Sequence, residues 1–137
     1  ILSQVVGESG ARFIRYATGD PSPEDWAQTR NEQRLALANR SLRSFGNLEF
    51  RVVEDPASSF AFDVTRCHFV SLCHELDRPH LAPLFCQADE VLFGDPRLGV
   101  TLRRDQTLAS GHDTCTFRLS WEVQPEPGKE DGGDPPP

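Results

Sequence analysis

The repeat of apolar residues along this chain changes period abruptly, and each change dictates a different backbone. Phe60-Ala61-Phe62-Asp63-Val64-Thr65 alternates, which puts Phe60, Phe62 and Val64 on one face of a strand. Directly afterwards Phe69, Leu72, Cys73 and Leu76 recur at three and four residues, the spacing of one helix face. A strand turning into a helix without a long linker forces the helix back onto its own sheet. Upstream, Leu48-Glu49-Phe50-Arg51-Val52-Val53 alternates as well and stops at Asp55-Pro56, so the segment Glu54 to Ser59 reads as the turn of a hairpin.

The remaining segments extend the pattern. Val5, Val6, Phe13, Ile14 and Ala17 have helical spacing over residues 3–18, ending at Gly19-Asp20-Pro21. Pro23, after Ser22 as an N-cap, opens a second and more solvated helix running to about Arg43, with Trp26, Leu35, Leu37, Ala38 and Leu42 on it. Pro79 opens another, with Leu81, Leu84, Phe85, Ala88 and Leu92 as its apolar stripe, closed by Gly94-Asp95-Pro96. Leu98 to Arg103 and Thr114 to Trp121 read as two further strands, the last with Cys115, Phe117, Leu119 and Trp121 on one face. The order is ααββααββ. It predicts an α+β domain: an antiparallel four-stranded sheet of two hairpins, with helices packed on one face.

Size and charge bound what such a domain can do. Of 137 residues, 1–123 are expected to form one domain, large enough to fold without disulfides. Residues 124–137 hold no apolar side chain able to anchor them and are expected to form a disordered acidic tail rich in Pro and Gly. The net charge of −7 leaves −4 on the domain once the tail is set aside, which argues against nucleic acid as a partner. No apolar run is long enough to span a bilayer and no signal peptide is visible, so a cytoplasmic protein with no membrane partner is expected. Four cysteines in a domain of this size fit reduced thiols better than a disulfide framework.

The thiols are the candidate chemistry. Cys67 stands at a predicted helix start, where the helix dipole and the neighbouring Arg66 favour a thiolate; as a structural residue it would be a small side chain at a strand–helix junction. Cys86 and Asp89, at i and i+3, share a helix face at the border of the apolar stripe. The carboxylate is expected to raise the thiol and to handle a substrate amine or orient water. Cys115 points into the packed face of the last strand, and the loop before it supplies Thr107, Gly111, His112 and Asp113. Cys73 lies on its helix's apolar stripe and reads as core. His68, His74 and His80 do not share a helix face, and no phosphate loop, HExxH or GxSxG pattern occurs. Zinc held by Cys67, Cys86 and Cys115 is the alternative, although their spacings of 19 and 29 residues contain none of the close pairs that structural zinc sites draw on.

Four pieces in order carry a resemblance: Phe60-x-Phe62-Asp63-Val64-Thr65-Arg66-Cys67; Glu75-Leu76-x-x-Pro79-x-Leu81; Cys86-x-x-Asp89; and Arg104-x-Gln106-Thr107-Leu108-x-x-Gly111-x-x-x-Cys115-x-Phe117-Arg118. Over residues 60–121 the chain resembles the L-2-amino-thiazoline-4-carboxylic acid hydrolase family. The resemblance implies a bacterial, cytosolic hydrolase-like domain that opens a cyclic amidine with water. It maps the family's cysteines onto Cys67, Cys86 and Cys115 and its acid onto Asp89. The chain departs from the family at Thr114-Cys115-Thr116-Phe117, where His and Asp commonly flank the cysteine, leaving His112 or Asp113 to substitute.

Two functions follow as expectations. In the first, a small hydrolase acts on a C–N bond of a cyclic amidine or amide. Cys86 or Cys115 attacks, Asp89 or His112 moves protons, and Arg104, Thr107 and Arg118 bind substrate, Arg104 being the better carboxylate partner because Arg118 lies opposite Cys115 on its strand. This reading needs no cofactor, takes a small-molecule substrate as partner and leaves a homo-oligomer open. In the second, the domain is a non-catalytic sensor or accessory module binding a small molecule or zinc.

Overall fold

The computed structural model describes residues 2–18 and 28–122. In chain order it contains helix α1 (Leu2–Thr18), helix α2 (Asn31–Ser44), strands β1 (Leu48–Val53) and β2 (Phe60–Cys67), helix α3 (His68–Glu75), helix α4 (Ala82–Phe93), and strands β3 (Thr101–Arg103) and β4 (Cys115–Ser120). The α+β architecture and its order are those the periodicity predicts. The expected caps Ser22 and Pro23, Trp26, and the tail from residue 124 lie outside the described residues.

All strand pairs are antiparallel and the sheet order is β1-β2-β4-β3. Register is fixed by the buried alternation: Phe62 stands opposite Phe117 and Val64 opposite Cys115. The Phe62 and Phe117 rings stack with centroids 4.6 Å apart and planes 9° apart, an arrangement that contributes about 0.5–1.5 kcal/mol beyond burial. Around them Phe60, Val64, Leu119 and Trp121 form the core with Leu42 of α2. α2 is tied to the end of β4 by polar contacts. Trp121 Nε1 donates to Asn31 Oδ1 at 2.9 Å, and the buried Arg34 donates to the Glu122 carbonyl at 2.7 Å.

Several expected faces are corrected. Only Cys73 of the α3 stripe is buried, while Phe69, Leu72 and Leu76 are exposed, because α3 is a two-turn helix that touches the rest of the fold along one edge. Its end is a Schellman turn: Asp77 takes a left-handed φ of 54°, and the N–H groups of Asp77 and Arg78 donate back to the carbonyls of His74 and Cys73. Nor does α1 bury its large residues fully: Val6 and Ile14 line the cavity half-buried. Leu2, Val5 and Phe13 are exposed, and α1 instead presents Gly7, Gly10 and Ala11 to α4. A Cβ on Gly10 would come within 2.5 Å of the Ala88 Cβ, so the two backbones can approach this closely only with glycine there. The strand expected from Leu98 begins at Thr101, since Asp95 caps a 3₁₀ turn over Pro96–Leu98.

The second face of the sheet is not simply solvated. Ala61 and Asp63 are buried there beneath Arg118 and Arg51. Long arginine stems can cover apolar surface while their guanidinium groups pair with carboxylates.

Candidate functional site

Between the helices and the inner face of the sheet lies a cavity of about 350 Å³. Its wall is mostly aliphatic and aromatic, and its chemistry-bearing lining includes Cys67, Cys86, Cys115, Asp89 and Arg104. Each arrives from a different direction. Cys67 is the last residue of β2 and the N-cap of α3, Cys86 and Asp89 share the α4 face turned to the sheet, Cys115 opens β4, and Arg104 follows β3. All four cysteines are free thiols.

Arg104 organises this end. Its side chain is only 7% exposed; Nη1 donates to Asp89 Oδ2 at 2.8 Å and Nη2 to the Cys86 carbonyl at 3.4 Å. Its guanidinium carbon stands 5.1 Å from the Phe117 ring centre, within cation–π range. Burial pushes the Asp89 carboxyl above the usual carboxylate range, and the Arg104 charge and hydrogen bond draw it partly back.

The thiols differ in what they are offered. Burial pushes Cys86 up to about 11, with Arg104 opposing and nearby Asp89 adding a smaller push, so the carboxylate expected to raise it is a secondary cause. Its Sγ lies 3.9 Å from the Ala82 carbonyl, a contact that suits a protonated donor. Burial also raises Cys115, but Cys115 Sγ accepts the Leu108 N–H at 3.2 Å, a bond that favours the thiolate. That donor is aimed by a short 3₁₀ turn, Leu108–Ser110, capped by Thr107, whose Oγ1 accepts from Ser110 N.

The structure therefore brings together Cys67, Cys86, Cys115, Asp89 and Arg104. Thr107 stands one step back, acting through the turn that places Leu108. His112 sits on the exposed loop before β4 and does not line the cavity. Arg118 is on the opposite face of the sheet, donating to Asp63 Oδ1 at 2.9 Å and to the Phe62 carbonyl. Among the described residues, no three His, Cys, Asp or Glu side chains converge as a metal ion would require, so the zinc alternative finds no cage. No described helix is long and apolar enough to cross a membrane. Sequence reasoning missed the Leu108 N–H and the Phe117 face beneath Arg104. The spacing Thr107-x-x-Ser110 was a capping signal that could have revealed the first; nothing in the sequence announces the second.

The chain is thus an α+β domain, a helix-backed antiparallel sheet with three thiols and a carboxylate–guanidinium pair among the residues lining one cavity. The chain belongs to the L-2-amino-thiazoline-4-carboxylic acid hydrolase family, whose sequence profile matches residues 2–119. No curated protein and no solved structure matches it.

Proposed function

We propose that the domain hydrolyses a C–N bond of a cyclic amidine or amide of the 2-aminothiazoline-4-carboxylate type. The observation that carries this reading is the Asp89–Arg104 ion pair lining the same cavity as the Cys115 thiol with its Leu108 N–H donor. A ring bearing both a basic amidine and a carboxylate is complementary to that pair, the amidine facing Asp89 and the carboxylate Arg104. Cys115 Sγ forms a bond to the amidine carbon, and its proton passes through Asp89 to the ring nitrogen. Water then replaces sulfur at that carbon. The C–N bond breaks with its electron pair on the departing nitrogen, which takes a proton from the water, and the thiol is regenerated.

The test is to follow loss of 2-aminothiazoline-4-carboxylate by liquid chromatography. Asp89→Asn is expected to slow turnover by about 10²–10⁴-fold, and Cys115→Ala to abolish it while the fold remains intact by circular dichroism. Undiminished turnover in Cys115→Ala and in Cys86→Ala would sink the thiol mechanism.

One observation favours a second reading, a non-catalytic small-molecule-binding domain. Of the three cavity thiols, burial raises Cys86, to about 11, and Cys115, which favours their protonated forms. Saturable binding of the same compound with no turnover by the unaltered chain would select it.

A further inference from the structure

The reacting groups account for one end of the cavity and leave the other without a task. Along the floor, β4 runs from Cys115 to Ser120 and leads into Trp121, a span of about 20 Å at ordinary strand rise. Arg104 sits over Phe117 near the start of that path. Beyond it the lining includes Leu119 and Trp121 from the sheet side, with Leu37, Ala38, Ser41 and Leu42 from α2. The one polar side-chain atom of Trp121 is already bonded to Asn31.

A single five-membered ring with an amine and a carboxylate does not fill such a space. Cavities of ~300–1,000 Å³ accommodate drug-sized ligands, and this one measures about 350 Å³. Water is a poor filler for most of the rest, since a buried water needs about two to four polar partners and Ser41 stands there among Leu, Ala and Trp side chains. An apolar group meets neither objection.

We infer that the natural substrate is a cyclic amidine or amide carrying an aryl or alkyl substituent, its polar ring at Cys115, Asp89 and Arg104 and its apolar arm between β4 and α2. The inference rests on the reading of those three residues as the reacting end. It assigns a class of substrate larger and more apolar than the compound for which the family is named.

The experiment is isothermal titration of the full chain with 2-aminothiazoline-4-carboxylate and its 5-butyl, 5-hexyl and 5-phenyl derivatives. Affinity is expected to rise about threefold to fourfold per buried methylene, with an increasingly negative heat-capacity change. A Kd that stays flat or worsens as the arm grows overturns the inference. Ala38→Phe, which fills the far end, is expected to cancel the gain so that the hexyl and unsubstituted compounds bind alike. If that variant fails to fold by circular dichroism, Ser41→Leu on the same helix serves, and the ligand series on the unaltered chain already decides the matter. Turnover separates the two layers. Tighter binding of the long-armed compounds with no turnover of any supports the apolar arm and defeats the reaction. Faster turnover and tighter binding of the unsubstituted compound does the reverse.

Discussion

Arg104 Nη1 lies 2.8 Å from Asp89 Oδ2, joining the end of β3 to the inner face of α4 across fifteen residues of sequence. A guanidinium buried this deeply would be costly without a partner, and a carboxylate beside apolar walls would take up a proton without one. The two groups pair on a cavity whose described lining is mostly aliphatic and aromatic.

Arg104→Met is therefore expected to destabilise the domain by about 2–3 kcal/mol near pH 7, through the carboxylate left without its cation. Burial already raises Asp89 above its unfolded value of 3.8. A raised carboxyl contributes stability that is fully present below the unfolded pKa and is lost as pH rises through the folded one. The deficit of the variant should accordingly shrink as pH falls and Asp89 takes up its proton. Asp89→Leu added to Arg104→Met should recover much of the loss. Urea unfolding as a function of pH checks both, and equal stability of Arg104→Met and the parent at pH 7 would contradict the assignment.

This pair also marks where the sequence stops being informative. Strand β4 was legible because Cys115, Phe117, Leu119 and Trp121 alternate, and the turn from β2 into α3 because the period changes within two residues of Cys67. Helix spacing joined Cys86 to Asp89, but the grouping of these two with Cys67 and Cys115 was raised from a possibility mainly by resemblance, since their meeting depends on long-range packing with no local signature. Exposure of Phe69, Leu72 and Leu76 was illegible for a related reason. A stripe of helical period says which face is apolar, not whether anything arrives to cover it. Likewise α1 packs through Gly7, Gly10 and Ala11, residues that a search for large apolar side chains passes over.

That close approach gives a second expectation. Gly10→Ala introduces a methyl group 2.5 Å from the Ala88 Cβ, forcing α1 and α4 apart at a cost of about 1–3 kcal/mol. Gly46→Ala is the control, since nothing lies within 4 Å of a Cβ there, and its effect should stay within about 0.5 kcal/mol. Thermal unfolding of the two variants distinguishes them. Equal melting temperatures would mean that the helices are not in contact through Gly10.

Arg118 and Arg104 were both candidates for holding a substrate carboxylate, and the structure gives them different surroundings. Arg118 Nη1 bonds Asp63 Oδ1 at 2.9 Å on the face of the sheet away from the cavity, where the Asp63 side chain is 10% exposed. Arg118→Ala leaves Asp63 with the exposed Arg51 at 3.4 Å and should cost about 1–3 kcal/mol. Its effect on kcat/KM should be no more than about twofold at temperatures where it is folded, whereas Arg104→Met should raise KM strongly. A KM effect of Arg118→Ala equal to that of Arg104→Met would place substrate on the wrong face.

Cys86 supplies an alkaline signature. Burial lifts it from 9.0 to about 11. The folded state thus keeps the proton over a range in which the unfolded chain loses it. By the same linkage, the stability this contributes is complete below pH 9 and disappears as pH rises from 9 to about 11. Cys86→Ala should flatten that part of the stability–pH curve. Chemistry should agree with thermodynamics: at pH 7.5 the thiolate fraction of Cys86 is about a hundredfold below that of an ordinary thiol, so iodoacetamide should label it correspondingly slowly. Since the Arg104 charge lowers Cys86 and that of Asp89 raises it, Asp89→Asn should speed labelling and Arg104→Met should slow it. Labelling of Cys86 at the rate of a free thiol in the folded protein, read by peptide mass spectrometry, would mean that this sulfur is not in the dry wall of the cavity.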